Sequence, residues 1–85
     1  MSANLPTVEV PAAELGAGIG VLAAFTRAGL TSSNGDARRQ IGGGGLRVND
    51  EVVTDDKTML GAAHVRDGAI KLSLGKKKHV LLKPV

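Results

Sequence analysis

Residues 33–53 have the sequence SNGDARRQIGGGGLRVNDEVV, whose first half predicts a short helix. Ser33 followed by an acidic residue at position 36 is the pattern of a helix N-cap, because the hydroxyl can accept a hydrogen bond from a free backbone N–H of the first turn. The helix is predicted over about 34–42, and the glycine run 42–45 ends it.

The second half of this stretch and the end of the chain predict two hairpins. Residues 46–48 alternate between apolar and polar side chains, positions 49–50 are Asn-Asp, which tolerates the backbone of a tight turn, and residues 51–53 return as a strand. Residues 69–74 and 78–83 alternate in the same way around a turn that begins with glycine. Both pairs are therefore predicted to be antiparallel.

Towards the N-terminus, residues 19–28 predict a further helix that ends at a glycine. Residues 7–10 could form only an edge strand, because prolines flank them. The predicted fold class is α+β, with two short helices packed on a small antiparallel sheet that has a basic face. We expect residues 1–18 to be an extended lead-in or linker and residues 19–85 to form the domain.

The composition excludes several classes of protein. The 85 residues include no cysteine, which removes disulfides and thiolate metal sites, and one aromatic residue, Phe25, so the core must be mainly aliphatic. The longest stretch without a charged residue, 15–26, is too short to cross a bilayer. A domain of this size leaves little room for a substrate cleft, and its two histidines are far apart in sequence. We therefore expect no catalytic residue and no metal ligand in this chain.

The basic residues are concentrated in the later part of the chain. Residues 27–85 contain all eleven Lys and Arg side chains against six acidic ones, whereas residues 1–26 contain two acidic side chains and no basic one. The predicted helix carries an arginine pair at 38–39, the first hairpin carries Arg47, and the tip of the second carries lysines at 76–78. Basic clusters on separate elements indicate a polyanionic partner, although each alone could be a solvated face or a guard against strand aggregation.

The shortage of aromatic residues indicates which kind of polyanion the chain could bind. Single-stranded nucleic acids are commonly bound by stacking bases on aromatic side chains, and Phe25 is expected in the core. A nucleic-acid partner would then be recognised through its phosphates and its folded shape, which favours structured RNA. The glycine-rich segments 16–20 and 42–45 lack the residues that complete a phosphate-binding loop, so we interpret them as structural.

The spacing of the helix cap, the paired arginines, the glycine turn and the Val-Asn hairpin resembles the RNA-binding domain named after the fourth small-subunit ribosomal protein. The residues that carry this resemblance are Ala28, Gly29, Leu30, Ser33, Ala37, Arg38, Arg39, Ile41, Gly44, Gly45, Val48 and Asn49. More narrowly, residues 5–10 and 72–79 are similar to the C-terminal domain of bacterial tyrosyl-tRNA synthetases. Together the two resemblances cover nearly the whole chain.

This resemblance implies a non-catalytic RNA-binding domain excised from a longer enzyme. The parent enzyme would be a cytoplasmic, homodimeric ligase that uses ATP with magnesium to charge tyrosine tRNA, and its catalytic domain would lie upstream. The domain itself would bind tyrosine tRNA near the long variable arm. It would be monomeric when isolated and would require no cofactor, metal or membrane.

Transferred position by position, the resemblance assigns RNA contacts to Arg38, Arg39, Arg47, Asn49, Lys76, Lys77 and Lys78. It assigns structural roles to Ser33, Ala37, Ile41, Gly44, Gly45 and Val48. At position 50 the family often has glycine, whereas this chain has aspartate, which adds a negative charge beside the contact expected of Asn49.

Two other functions are consistent with the same residues. The chain could be a stand-alone or appended module that binds other structured RNA or the ribosome. It could also be a protein-interaction domain whose basic face meets an acidic partner, with contacts through the apolar surface of residues 19–25. Preference for ribosomal RNA would support the first alternative, and indifference to RNA would support the second.

Overall fold

The computed structural model describes residues 5–85 as seven strands, three α-helices and one short 3₁₀ helix. In chain order they are β1 (Thr7–Val10), α1 (Ala12–Ala17), β2 (Ile19–Gly20), α2 (Val21–Arg27), α3 (Asn34–Gly42), β3 (Leu46–Val48), β4 (Glu51–Val52), β5 (Met59–Leu60), the 3₁₀ helix (Ala62–His64), β6 (Ile70–Leu74) and β7 (Lys78–Pro84). Five strands form one sheet in the order β1-β7-β6-β3-β4, and β2 pairs with β5. The predicted α+β class is confirmed.

The sheet differs from the predicted antiparallel one at its edge. β1 pairs with β7 in parallel, with Thr7 opposite Leu81 and Val10 opposite Pro84, whereas the other pairs are antiparallel. The predicted edge position of residues 7–10 is correct. The parallel pair joins the two ends of the described chain, and no local sequence pattern indicates such a partner.

The predicted lead-in contributes to the packed structure. Within residues 1–18, the first four lie outside the described residues, and the others supply β1 and α1. Val10 and Leu15 are buried in the same core as the rest of the molecule. The domain boundary at residue 18 stays a prediction, but the structure continues across it.

The helix predicted over 19–28 begins two residues later in the structure. Ile19 and Gly20 pair with Leu60 and Met59 as β2, and α2 starts at Val21. Gly18 has a φ of 98°, a conformation that ends α1 and turns the chain into β2. The pairing partner is about forty positions away, so helical periodicity alone could not show it.

The predicted helix cap and tight turns are confirmed. Ser33 Oγ accepts a hydrogen bond from the backbone N–H of Asp36 at 3.1 Å and begins α3. Asn49 and Asp50 have φ values of 51° and 71°. Positive values at both positions are typical of a two-residue hairpin turn whose twist matches that of the flanking strands. The β6–β7 turn begins at Gly75, whose φ is 67°.

One aliphatic core lies between the helices and one face of the sheet, and Phe25 is fully buried in it, as predicted. Alternate residues of β3 and β6 point into this core, so Arg47 lies on the opposite face of the sheet. The core consists of Val10, Leu15, Ile19, Val21, Ala24, Phe25, Ala37, Ile41, Leu46, Val48, Val53, Leu60, Ile70, Leu72 and Leu82.

Candidate nucleic-acid interface

The three lysines 76–78 are exposed at the β6–β7 turn and border two shallow grooves that are wide open to solvent. One groove of about 500 Å³ is lined by these lysines with Gln40, Gly45, Leu74 and Gly75. The other, of about 280 Å³, is lined by Lys77 and Lys78 with Leu5, Pro6, Leu30, His79 and Val80. Neither set of lining residues contains Asp or Glu, and among residues 5–85 no lysine of this turn forms a salt bridge.

We call the surface formed by Gln40, Gly45 and residues 75–79 the lysine end. Its position relative to α3 is fixed through backbone hydrogen bonds, because Gly45 N–H donates to Gln40 O at 2.9 Å and Gly75 N–H donates to Gly45 O at 2.8 Å. A Cβ at position 45 would lie 3.2 Å from Gln40 Oε1, and this flexible side chain could move aside to admit it. The glycine run thus connects the C-terminal end of α3 to the lysine turn.

Arg47 lies beside the lysine end on the sheet face away from the helices. It stands opposite Ser73 on β6, and Ser73 stands opposite His79 on β7, so the three residues form one row across the sheet. Arg47 is exposed and forms no salt bridge or side-chain hydrogen bond within the described part of the chain. Its guanidinium is therefore available to an external anion.

Arg38 and Arg39 are exposed, but each is paired with a carboxylate. Arg38 Nε lies 2.9 Å from Asp56 Oδ2, and a terminal nitrogen of Arg39 lies 2.9 Å from Asp36 Oδ1. Successive helical residues diverge by about 100°, which takes the two side chains to different neighbours. Ion pairs that are this exposed to solvent contribute little to stability. A phosphate can therefore compete for either arginine, but its binding breaks the ion pair with the carboxylate.

Asp36 connects Arg39 to the start of α3. Its carboxylate accepts hydrogen bonds from the backbone N–H of Ser32 at 3.0 Å and from Arg39, while its own N–H donates to Ser33 Oγ. The hydrogen bond from Ser32, and after it that from Arg39, hold the pKa of Asp36 below its ordinary value of 3.8. Arg39 therefore belongs to the capping network of the helix as well as to the basic surface.

Asn49 is held inside the protein. Its side-chain amide donates to His64 O at 2.6 Å, and its Oδ1 accepts from the backbone N–H of Lys71 at 3.1 Å. Asp50, the departure from the family pattern, is paired with Lys71 Nζ at 3.1 Å. This hairpin turn lies at the opposite end of β3 from Gly45, so the added carboxylate is remote from the lysine end.

The sequence of residues 2–82 matches the protein family described as "Tyrosine--tRNA ligase SYY-like C-terminal domain". The chain belongs to this family. It is 67% identical over 85 residues to the tyrosine–tRNA ligase of Bradyrhizobium diazoefficiens, 60% over 85 residues to that of Nitrobacter winogradskyi, and 55% over 86 residues to that of Rhizobium meliloti. These alignments cover 99%, 99% and 100% of this chain but 20%, 20% and 21% of the relatives. The chain thus spans about a fifth of their length.

Four of the residues assigned structural roles lie in the core or at the end of α3. Ala37, Ile41 and Val48 are buried in the core, and Gly44 has a φ of 72° at the end of α3. Gly42 is the last residue of α3, and residues 43–45 carry the chain from the helix into β3. The interpretation of this glycine run as structural therefore agrees with its position.

Two residues of the lysine end were not identified from the sequence. Gln40 lines a groove because α3 ends against the lysine turn, which no local pattern indicates. His79 could have been identified from the hairpin register, since a turn centred on residue 76 places Ser73 opposite position 79. The described residues contain no group of three or more His, Cys, Asp or Glu side chains arranged for a metal ion, and no helix among them is long and apolar enough to span a membrane.

Proposed function

We propose that this domain binds tyrosine tRNA as the appended RNA-binding part of a tyrosine–tRNA ligase. Its membership of a tyrosine–tRNA ligase C-terminal family and the names of its relatives support this function. The observation that carries the proposal is the lysine end, where three adjacent exposed lysines border two open grooves without acidic lining residues. Such a surface attracts a polyanion.

In this proposal the domain recognises phosphates and shape rather than bases. Lys76–Lys78 contact phosphates directly, and Arg47 extends the contact along the sheet. Arg38 and Arg39 bind further phosphates by exchanging their carboxylate partners for them. With about four to six phosphates neutralised, the logarithm of the binding constant should fall against the logarithm of salt concentration with a slope of roughly −3 to −5. Phe25 is buried and cannot stack on a base.

The remaining features of the proposal concern the rest of the enzyme and the tRNA. The long variable arm of tyrosine tRNA is the proposed target. Charging of the tRNA with tyrosine, its ATP and magnesium, the homodimer and the cytoplasmic location belong to the proposed parent enzyme. The isolated domain is proposed to be a monomer that requires no cofactor. The tRNA would contact Asn49 only through the hydrogen-bonding capacity that the internal hydrogen bonds of this side chain leave unused.

The test is a fluorescence anisotropy titration of this chain with tyrosine tRNA at two salt concentrations. The same tRNA without its long variable arm and a ribosomal RNA fragment of equal length serve as comparisons. Tighter and salt-sensitive binding to the intact tRNA is the expected result. Equal binding to all three would indicate a general structured-RNA module, and no binding by folded protein at low salt would favour a protein partner.

A further inference from the structure

His79 forms hydrogen bonds with both ring nitrogens inside the β6–β7 hairpin. Its Nε2 lies 3.2 Å from the backbone carbonyl oxygen of Lys76, and its Nδ1 lies 2.8 Å from Ser73 Oγ. The ring is partly buried, and Ser73 is 1% exposed. The histidine thus connects the centre of the hairpin to the first lysine of the turn.

The chemistry of these partners fixes the proton on the neutral ring. A carbonyl oxygen can only accept a hydrogen bond, so Nε2 must carry the hydrogen that it donates to Lys76 O. Nδ1 is then the acceptor, and the hydroxyl of Ser73 donates to it. With both nitrogens occupied, the ring has no polar atom left for RNA.

The turn is consequently held at two successive residues. Gly75 is bound through its N–H to Gly45 O at 2.8 Å, and Lys76 is bound through its carbonyl to His79. Lysine side chains are flexible, and each additional degree of freedom that is frozen on binding reduces affinity. Fixing the backbone of the turn beforehand lowers that cost.

We propose that His79 is a positioning residue, which holds the lysine turn in its RNA-binding conformation through the bond from Nε2 to Lys76 O. This inference rests on the proposed function. It makes the Nε2 donor the functional group, with the Lys76 carbonyl selecting the tautomer and the Ser73 hydroxyl donating to Nδ1.

Two variants separate the two ring contacts. In His79→Gln the longer side chain keeps an amide donor near the place of Nε2, whereas in His79→Asn the shorter one keeps a polar atom near the place of Nδ1 and cannot reach Lys76. We expect H79N to bind tyrosine tRNA about fivefold to tenfold more weakly than wild type, and H79Q to stay within about twofold. Thermal unfolding of each variant shows that folded protein is being compared.

NMR supplies readouts that do not depend on RNA. The wild-type ring should show the Nε2–H tautomer at pH 8. The backbone order parameters of Lys76 and Lys77 should fall from about 0.85 to below about 0.6 in H79N and remain high in H79Q. A neutral ring that carries its hydrogen on Nδ1 would overturn the proposal, and so would a turn that is as rigid in H79N as in wild type. Both results hold whether or not the domain binds RNA.

The binding data distinguish failure of this inference from failure of the proposed function. Wild type and both variants binding the tRNA equally would reject the role of His79 and leave the function intact. Equal weakening of H79Q and H79N would show that ring packing, rather than the Nε2 bond, is responsible. Absence of binding by wild type would reject the function, while the NMR result would still decide whether His79 holds the turn.

Discussion

Lys76–Lys78 and the pair Arg38–Arg39 are both exposed basic clusters, but they differ in what surrounds them. The arginines each have a carboxylate at 2.9 Å, whereas the lysines border open grooves without acidic lining residues. In the sequence the two clusters have the same kind of charge. In the structure, only the lysines of these two clusters have no carboxylate partner among residues 5–85.

Asn49 extends this comparison. Its amide is used within the protein, like the guanidinium groups of the arginines and unlike the ammonium groups of the lysine turn. Substitutions of the three lysines should therefore change RNA affinity and leave stability unaffected. Substitutions at the internally bonded residues should act on stability, or on both.

The largest effect is expected from replacing all three lysines of the turn. K76Q/K77Q/K78Q should weaken binding of tyrosine tRNA by about 100-fold, from about 1 kcal/mol for each lost phosphate contact. Its free energy of unfolding should stay within about 0.5 kcal/mol of wild type, because the side chains are exposed and, among residues 5–85, form no salt bridge. Anisotropy titration and urea denaturation measure the two quantities.

The control for this triple variant is K57Q/K83Q, which removes two other exposed lysines that have no salt bridge within the described part of the chain. It should weaken binding by no more than about threefold, the effect of net charge alone. A loss similar to that of the triple variant would show that the lysine end is not a distinct site.

Substitution of Asn49 should lower the stability of the fold, in contrast to substitution of the lysines. N49A should lower the free energy of unfolding by about 2 kcal/mol, because it leaves the Lys71 N–H and the His64 carbonyl without their partner. N49G separates the loss of these hydrogen bonds from the strain of the positive φ, which glycine relieves. Urea denaturation measures both variants. Normal stability with weak RNA binding would instead make Asn49 an RNA contact.

The arginine pair should have an intermediate effect on affinity. R38Q/R39Q should weaken RNA binding about tenfold, less than the lysine variant, because each arginine must leave a carboxylate before it binds a phosphate. D56N tests the reason directly, since it removes the negative charge paired with Arg38 without altering the cap of α3. It should strengthen binding about twofold to threefold, and a weaker affinity would refute the competition between carboxylate and phosphate.

The smallest effect is expected from the titration of Asp36. Because its pKa is lowered in the folded protein, the ionised carboxylate stabilises the fold above its ordinary pKa of 3.8, and this stabilisation is lost as the pH falls through the lowered value. The difference in unfolding free energy between wild type and D36N should therefore have its maximum value at pH 6 and vanish at strongly acidic pH. A difference that persists unchanged at pH 2 would assign the effect to geometry instead.

Local chemistry made much of the fold predictable. The cap at Ser33, the Asn49-Asp50 turn and the alternation of β6 and β7 each depend on neighbours within a few residues, and each is present in the structure. The parallel β1–β7 pair and the β2–β5 pair depend on residues far apart in the chain. Their partners are chosen by the packed core, which a local pattern does not contain.

The same distinction applies to the candidate interface. The sequence shows where the basic residues are, and the hairpin alternation places Arg47 away from the core. It does not show that Arg38 meets Asp56, 18 positions away, or that Asn49 meets His64, 15 positions away. Whether a charge is available is a property of these long-range contacts.

The salt dependence of tyrosine tRNA binding tests most directly whether the lysine end is the phosphate-binding surface. Wild type should show a slope of roughly −3 to −5 in log K against log salt concentration. The slope should be smaller in magnitude by about 2 to 3 in K76Q/K77Q/K78Q and nearly unchanged in K57Q/K83Q. An unchanged slope in the lysine variant would contradict the account, because the phosphates would then be bound elsewhere on the domain.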